Sequence, residues 1–306
     1  MEADILLHAI LAPLLLAAAL LCVPLAVRFA FDRASRPEVG GAPTRASIVH
    51  ERLAPAAFAL VPLAAYAHQQ GISSPSACCM LLAKPTTAFD RFPLAVLVAL
   101  AIAFVLDRTA RACGAVGSLA VAAFGAAASC VVLQSPGHLS AEWRLALACI
   151  VALAAFGSSA SARGTTRATF VAWWGTFAAA SGACLLAGFA KLAVVMGAAS
   201  AAAALGAVLC GALPWVRADG GTGTLFAVIL GAGTFLGLGY DERGLPLACW
   251  AAVAVAPASA LAASAFLGRP RLASALRAGL PIAVAGAAVA LAAAMTSSVA
   301  PDASGY

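Results

Sequence analysis

The segment Leu192–Gly211, LAVVMGAASAAAALGAVLCG, contains twenty residues and no charged side chain. A helix needs about 20 largely apolar residues to cross the hydrocarbon core of a bilayer. Nine further apolar segments follow one another along the chain, and the charged residues lie almost entirely between them. This pattern predicts an all-α fold: a polytopic integral membrane helix bundle of about ten transmembrane helices with short loops.

The predicted spans are of similar character, and the second, third and eighth are short enough to need flanking residues or a locally thinned bilayer. They are Ile5–Val27, Leu53–Ala67, Phe92–Leu106, Ala112–Leu133, Leu145–Ser161, Ala168–Gly188, Leu192–Gly211, Leu225–Tyr240, Leu245–Leu267 and Ala278–Ser297. We expect a single transmembrane domain over residues 1–306 and no soluble domain. Five spans in each half, 1–144 and 145–306, would give inverted halves such as those of many secondary transporters.

The composition supports a lipid-facing surface. Hydrophobic residues make up 63% of the chain and charged residues 10%, whereas soluble domains are roughly 25% charged. The net charge of +6 does not indicate nucleic-acid binding, because the cations form no run and are not interleaved with aromatic residues. The expected partner is the lipid bilayer, with membrane protein partners or a homo-oligomer as further options.

The cations also predict an orientation. Lys and Arg are concentrated in the odd-numbered connecting segments between spans, which the positive-inside rule assigns to the cytoplasm. Those segments hold Arg28, Arg33, Arg36, Arg45, Arg52, Arg108, Arg111, Arg163, Arg167, Arg217, Arg269, Arg271 and Arg277. The even-numbered segments hold Lys84, Arg91, Arg144, Lys191 and Arg243. We therefore expect both termini outside, and the Ala- and Arg-rich composition indicates a bacterial inner (plasma) membrane.

The eighth predicted span offers the first candidate pathway residues, Gly231, Gly233 and Gly237. Gly233 and Gly237 form a G-x-x-x-G motif, which lets helices approach closely. Tight packing is one interpretation. The other is a locally unwound helix whose carbonyl groups line a solute pathway.

Further pathway candidates are two prolines and two hydroxyl side chains. Pro62 and Pro257 are the prolines best placed to break a helix at mid-membrane depth, although prolines are also common in membrane helices. Thr176 and Ser181 bring hydroxyl groups into the sixth span. No ionisable residue lies at mid-depth of any predicted span, which argues against a buried carboxylate that carries protons.

The glycine-rich sequence before the eighth span is a candidate anion site. Gly220, Gly221, Thr222 and Gly223 would present consecutive backbone N–H groups at the start of a helix. The alternative is a flexible turn with a threonine at the helix cap. The lysine of a nucleotide-binding P-loop is missing.

Two other features have a bearing on function. Residues 71–83, in the second connecting segment, form either a re-entrant half-helix or an ordered outer loop.

No C-x-x-C, H-E-x-x-H or G-x-S-x-G motif occurs, so we expect no catalytic residue, no metal and no bound cofactor.

Three functions remain open. The first is a secondary transporter or facilitator for a small solute; the arrangement resembles the drug/metabolite carriers in span number and length, although the termini of those carriers face the cytoplasm. The second is a non-catalytic membrane subunit of a larger complex. The third is an intramembrane lipid-modifying enzyme, for which His50, Asp107, Asp241 and Glu242 would supply the acid–base groups. We expect the chain not to be an enzyme.

Overall fold

The computed structural model describes residues 10–20, 45–72, 85, 87–112, 142, 145, 149, 150, 153, 154, 166–213, 216, 217, 220–266 and 270–298. Throughout these ranges the fold is helical and contains no strand. Residues 10–20 are helical. The remaining helices, in chain order, are α1 (Arg45–Gln69), α2 (Phe92–Ala112), α3 (Thr166–Leu186), α4 (Ala190–Leu209), α5 (Gly220–Gly239), α6 (Leu247–Val255) and α7 (Pro270–Ser298).

Two 3-10 segments complete this list. Phe89–Arg91 leads directly into α2, and Ala256–Phe266 continues directly from α6. Four of the described helices, α3, α4, α5 and α7, are long and apolar enough to cross a membrane. Apart from Ala112, the predicted fourth span, Ala112–Leu133, lies outside the described residues, as do most of the first and fifth spans.

Several predicted span boundaries were wrong. The eighth span was expected to begin at Leu225, but α5 begins at Gly220; the tenth was expected to begin at Ala278, but α7 begins at Pro270. Glycine has low intrinsic helix propensity, which the packing around α5 overrides. Pro270 can occupy the first helical position because the N–H it lacks would have no intrahelical partner there.

Helices α3 and α4 form a tight antiparallel hairpin. Gly188 has a φ of 88°, in the left-handed region that glycine adopts without steric cost. Its N–H donates to the Leu185 carbonyl at 3.1 Å, and the Phe189 N–H donates to the Cys184 carbonyl at 2.9 Å. These two bonds are a Schellman motif, which satisfies the last carbonyls of α3 and reverses the chain.

Helix α7 packs along α3 in the same direction. Gly175 of α3 faces Ile282, and Gly182, two turns further on, faces Val289, also two turns further on. The lack of a side chain at Gly175 lets Ile282 pack against the α3 backbone. The parallel packing agrees with the alternation of the predicted spans, in which the sixth and tenth run the same way.

Helix α5 is the centre of the bundle and contacts α1, α2, α3, α4 and α6. Every residue from 222 to 237 is buried. Near its start, the Phe226 ring lies in a cluster of aromatic side chains, with centroid distances between 5.6 and 6.3 Å. The partners are Phe58, Phe170, Trp173 and Phe177.

The other end of α5 is joined to two further connecting segments. The Tyr240 ring lies 4.9 Å from Phe189, which in turn lies 5.2 Å from Phe89. The Glu242 N–H donates to the Ala187 carbonyl at 3.2 Å. The second, sixth and eighth connecting segments therefore meet at one end of the bundle.

Candidate functional site

The four residues of the candidate anion site form the first turn of α5. The helix begins at Gly220, so Gly221, Thr222 and Gly223 lie inside it, and the interpretation in which a threonine caps the helix is wrong. Thr222 is 3% exposed and Thr224 is 4% exposed. In the part of the chain that the structure describes, neither hydroxyl has a hydrogen-bond partner. The site is thus the first turn of a helix, in which Thr222 is buried and is followed by the buried Thr224.

The candidate pathway glycines of α5 are buried, and two of them are contact points for neighbouring helices. Gly233 faces the Met196 side chain of α4, and Gly237 faces the Trp250 indole of α6. A Cβ at either position would overlap these groups. The G-x-x-x-G motif therefore brings α4 and α6 close to α5. Gly231 is also buried in the same helix.

The candidate hydroxyl groups of α3 bond to backbone carbonyls. Thr176 Oγ1 donates to the Ala172 carbonyl of its own helix at 2.8 Å, and Ser181 Oγ donates to the Ala193 carbonyl of α4 at 2.8 Å. Ser200 Oγ of α4 donates back to the Trp174 carbonyl at 2.9 Å. Ser181 and Ser200 thus tie α3 to α4, while Thr176 is satisfied locally.

The two candidate prolines differ in their effect. Pro62 is buried within α1, which continues as an α-helix to Gln69, so the expected break is absent there. The helix tolerates the lost hydrogen bond because tightly buried side chains such as Phe58 and Val61 hold this turn in place. Pro257 is also buried, but α6 ends at Val255 and the chain continues as a 3-10 helix.

The 3-10 segment that contains Pro257 runs for 11 residues. Runs longer than three or four residues are uncommon and often mark a hinge or strain. Pro257 has no N–H to donate to the Val253 carbonyl, so the α-helical pattern loses one bond at this point. Ser259 Oγ donates to the Ala256 carbonyl at 2.6 Å. The segment packs mainly against α7 and also against α3.

A buried carboxylate that was not singled out from the sequence joins α1 to α2. Asp90 is 4% exposed. Gln70 Nε2 donates to its Oδ1 at 2.8 Å, and the Thr87 N–H donates to its Oδ2 at 2.8 Å. The Asp90 N–H donates to Thr87 Oγ1 at 3.2 Å. This reciprocal pair resembles a capping box, and the T-x-x-D spacing just before an apolar run was the sequence signal for it.

Asp241, a candidate of the enzyme hypothesis, fixes the turn between α5 and α6. Its Oδ1 accepts from the Arg243 and Gly244 N–H groups at 3.1 and 2.9 Å. Its Oδ2 accepts from the Leu245 N–H at 2.7 Å and from Trp250 Nε1 at 3.2 Å. Because four donors already engage this carboxylate, its geometry is that of a structural group.

The other acid–base candidates are not gathered around Asp241. Glu242 is exposed on the same turn. His50 and Asp107 lie in α1 and α2, and their side chains are outside the described residues. Within the described ranges, no three His, Cys, Asp or Glu side chains come together as a metal site.

An open apolar groove of about 470 Å³ lies between α3 and α7. Trp174, Gly175 and Gly182 line one wall, and Ile282 and Gly286 line the other. Small residues of both helices border the groove, and Ile282 packs against α3 at Gly175.

Comparison of the chain with protein-family models, with curated proteins and with solved structures finds no match. The functional conclusion therefore rests on the sequence pattern and on the geometry described above.

Proposed function

We propose that this protein is a multi-pass carrier that moves a small solute across the bacterial inner membrane. In this proposal the chain crosses the bilayer ten times, both termini face outward, and the Arg-rich segments face the cytoplasm. The contact between the second, sixth and eighth connecting segments supports this arrangement, because all three are even-numbered segments that the proposal assigns to the outer side.

The interrupted ninth span is the observation that carries the transport proposal. The α-helix Leu247–Val255 gives way to the 3-10 helix Ala256–Phe266 around the buried Pro257. Non-helical or broken backbone is tolerated at membrane depth only where it is buried in protein or lines a cavity. Many carriers use such interrupted helices at their solute sites, where the two parts can move separately. In this chain the 3-10 part of the interrupted span packs mainly against α7, an arrangement that suits separate movement of the two parts.

A flux measurement with two proline variants tests the proposal. The purified protein is reconstituted into liposomes, and the uptake of labelled sugars, amino acids, polyols and small carboxylates is compared with that of empty liposomes. Pro257→Ala restores an N–H at the break, and we expect it to lower the transport rate by about tenfold or more, since hinge residues control gating. Pro281→Ala is the matched control, because Pro281 is also buried but lies in the continuous helix α7.

Each outcome of the flux measurement has a different interpretation. Uptake of every solute at the level of empty liposomes contradicts the transport proposal. Equal loss of flux in both proline variants assigns the effect to general destabilisation, whereas loss in Pro257→Ala alone supports the hinge. Size-exclusion chromatography of each variant checks that it remains folded.

One observation favours a second candidate function, a non-catalytic subunit of a larger membrane complex. Only 17% of the membrane-crossing window of α7 is buried, and its Gly279 and Gly286 have no side-chain neighbour within 4 Å among the described residues. Small exposed residues on a membrane helix permit close packing by another helix. Purification in mild detergent followed by mass spectrometry tests this: a stoichiometric partner supports the subunit function, and a lone protein opposes it.

A further inference from the structure

The groove between α3 and α7 opens on the surface of the bundle. Trp174, the largest residue that lines it, is 47% exposed, and the lining residues Ala178, Gly286 and Ala290 are exposed as well. All of the lining residues are apolar. Both helices are long and apolar enough to cross a membrane, and a groove on their outer surface then meets the hydrocarbon chains of the lipids.

The groove is elongated along the axes of the two helices. On α7 its lining begins at Ile282 and continues to Ala293, a distance of about 16 Å at the rise of an α-helix. The hydrocarbon core of a bilayer is about 30 Å thick, so the groove is about as long as one of its two leaflets. A narrow apolar groove of this length fits a single acyl chain.

Two exposed arginines lie beyond one end of the groove. Arg167 precedes Trp174 by two turns of α3, and Arg271 precedes Ile282 by three turns of α7, so each arginine shares a helix face with a residue that lines the groove. Because α3 and α7 run in the same direction, both arginines are at the same end of the helix pair. The apolar groove therefore leads toward a pair of cations.

The charge of this end is positive and is not balanced within the two helices. Neither α3 nor α7 contains an acidic residue. Long arginine side chains near the end of a membrane helix reach the membrane–water interface. There the planar guanidinium group can bind phosphate through two hydrogen bonds. A ligand that matches both features has a phosphate group at one end and a long apolar chain at the other.

We propose that the groove between α3 and α7 binds an acyl chain of an anionic phospholipid, whose phosphate group lies against Arg167 and Arg271. A membrane helix of a second protein could fill the apolar part of the groove, but its apolar side chains would not match the two cations. In the proposed orientation the lipid belongs to the cytoplasmic leaflet, which carries anionic lipids. The inference goes beyond the transport function and does not depend on it.

The fluorescence of Trp174 tests the site, because this side chain lines the groove and brominated acyl chains quench tryptophan on contact. The purified protein is reconstituted into liposomes of phosphatidylglycerol and phosphatidylcholine, in which the chains of only one of the two lipids are brominated. The quenching of Trp174 is that of the unmodified protein minus that of Trp174→Phe. At equal mole fraction we expect brominated phosphatidylglycerol to be preferred over brominated phosphatidylcholine by about fivefold or more, from the attraction that each arginine adds.

Variants of the arginines assign the preference to the phosphate group. Arg167→Gln combined with Arg271→Gln removes both cations, and we expect the preference for phosphatidylglycerol to fall by about fivefold or more. Arg243→Gln is the matched control, because Arg243 is also exposed but lies in the turn between α5 and α6, at the other end of the bundle. It should leave the preference unchanged.

Variants of α7 assign the quenching to the groove. Gly286 lines the groove, and no atom lies within 4 Å of a Cβ added there, so Gly286→Leu places its side chain in the groove without a clash at the Cβ. We expect it to reduce the quenching of Trp174 by both brominated lipids. Ala287→Leu is the matched control, because Ala287 is the next residue, is also exposed and does not line the groove.

Several results would overturn the lipid site. Equal quenching by the two brominated lipids contradicts recognition of the anionic headgroup, and an equal loss of preference in Arg243→Gln and in the double arginine variant is a general charge effect. Absence of quenching by either lipid shows that another occupant, such as a second copy of the chain, fills the groove. Selective quenching without flux of any solute supports the lipid site and contradicts transport, and flux with equal quenching does the reverse.

Discussion

Helices α5 and α7 are both long and apolar enough to cross a membrane, yet they occupy opposite environments. In α5, 89% of the membrane-crossing window is buried, against 17% in α7. Both helices also contain glycines. Gly233 and Gly237 of α5 meet the side chains of Met196 and Trp250, whereas Gly279 of α7 meets no side chain within 4 Å in the described structure.

This difference shows that the apolar composition of a helix indicates that it can cross a membrane but does not indicate whether it lies at the centre or on the surface of the bundle. Leu225 and Leu291 are the same residue type, but one is fully buried in α5 and the other is 64% exposed on α7. The same holds for glycine, which permits close packing in α5 and leaves an open surface in α7. The structural effect of a small residue therefore depends on whether another helix packs against it.

The largest expected contrast comes from one large side chain in each helix. Phe226→Ala removes the ring at the centre of the aromatic cluster and leaves a cavity. We expect it to lower the free energy of unfolding by about 3 kcal/mol, since the surrounding rings lose their contacts. Leu291→Ala, on the exposed face of α7, should change it by less than about 0.5 kcal/mol. Unfolding by SDS in mixed micelles measures both; equal losses would contradict the central position of α5.

Replacing glycine by alanine is expected to lower the free energy of unfolding in α5 and to raise it in α7, and both changes should be smaller than the loss in Phe226→Ala. In Gly237→Ala the new methyl group overlaps the Trp250 ring, which its bond to Asp241 holds in place. We expect a loss of about 1–3 kcal/mol. Gly279→Ala in α7 meets open space and should stabilise the helix by up to about 1 kcal/mol.

The same unfolding measurement decides the glycine comparison. If Gly237→Ala were as stable as the unmodified protein, the close approach of α6 to α5 at Trp250 would not be needed for stability. A loss on Gly279→Ala would indicate that another helix packs against this face of α7.

Helix positions were best predicted where the end of an apolar segment coincides with a residue that favours a turn. The sixth and seventh spans were expected at Ala168–Gly188 and Leu192–Gly211, and α3 and α4 begin and end within two residues of those bounds. Gly188 ends the first of these helices in a conformation suited to glycine, so the apolar pattern and the turn coincide.

Boundaries were missed where packing or capping decides them. The glycine-rich start of α5 has the composition of a loop, yet it is helical and belongs to a helix that packs against five others. At the site, the sequence placed Gly220 to Gly223 before the eighth span, whereas they form the first turn of α5. It did not reveal that Asp90 is buried and bonded to Gln70, because this depends on a side chain that is distant in sequence.

The smallest expected contrast concerns two threonines with the same local geometry. Thr234 Oγ1 of α5 lies 3.0 Å from the Leu230 and Gly231 carbonyl oxygens, and Thr296 Oγ1 of α7 lies 3.1 and 3.0 Å from those of Ala292 and Ala293. Such bonds return to carbonyls that already serve the helix, so their loss has little effect.

We therefore expect Thr234→Val and Thr296→Val each to change the free energy of unfolding by less than about 1 kcal/mol, which is within the net value of one hydrogen bond. The difference between the two variants should be about 0.5 kcal/mol or less, despite the contrast in burial between α5 and α7. Unfolding in mixed micelles measures it. A loss in Thr234→Val several times that in Thr296→Val would contradict the expectation, because the burial of the side chain would then affect stability more than its local hydrogen bonds do.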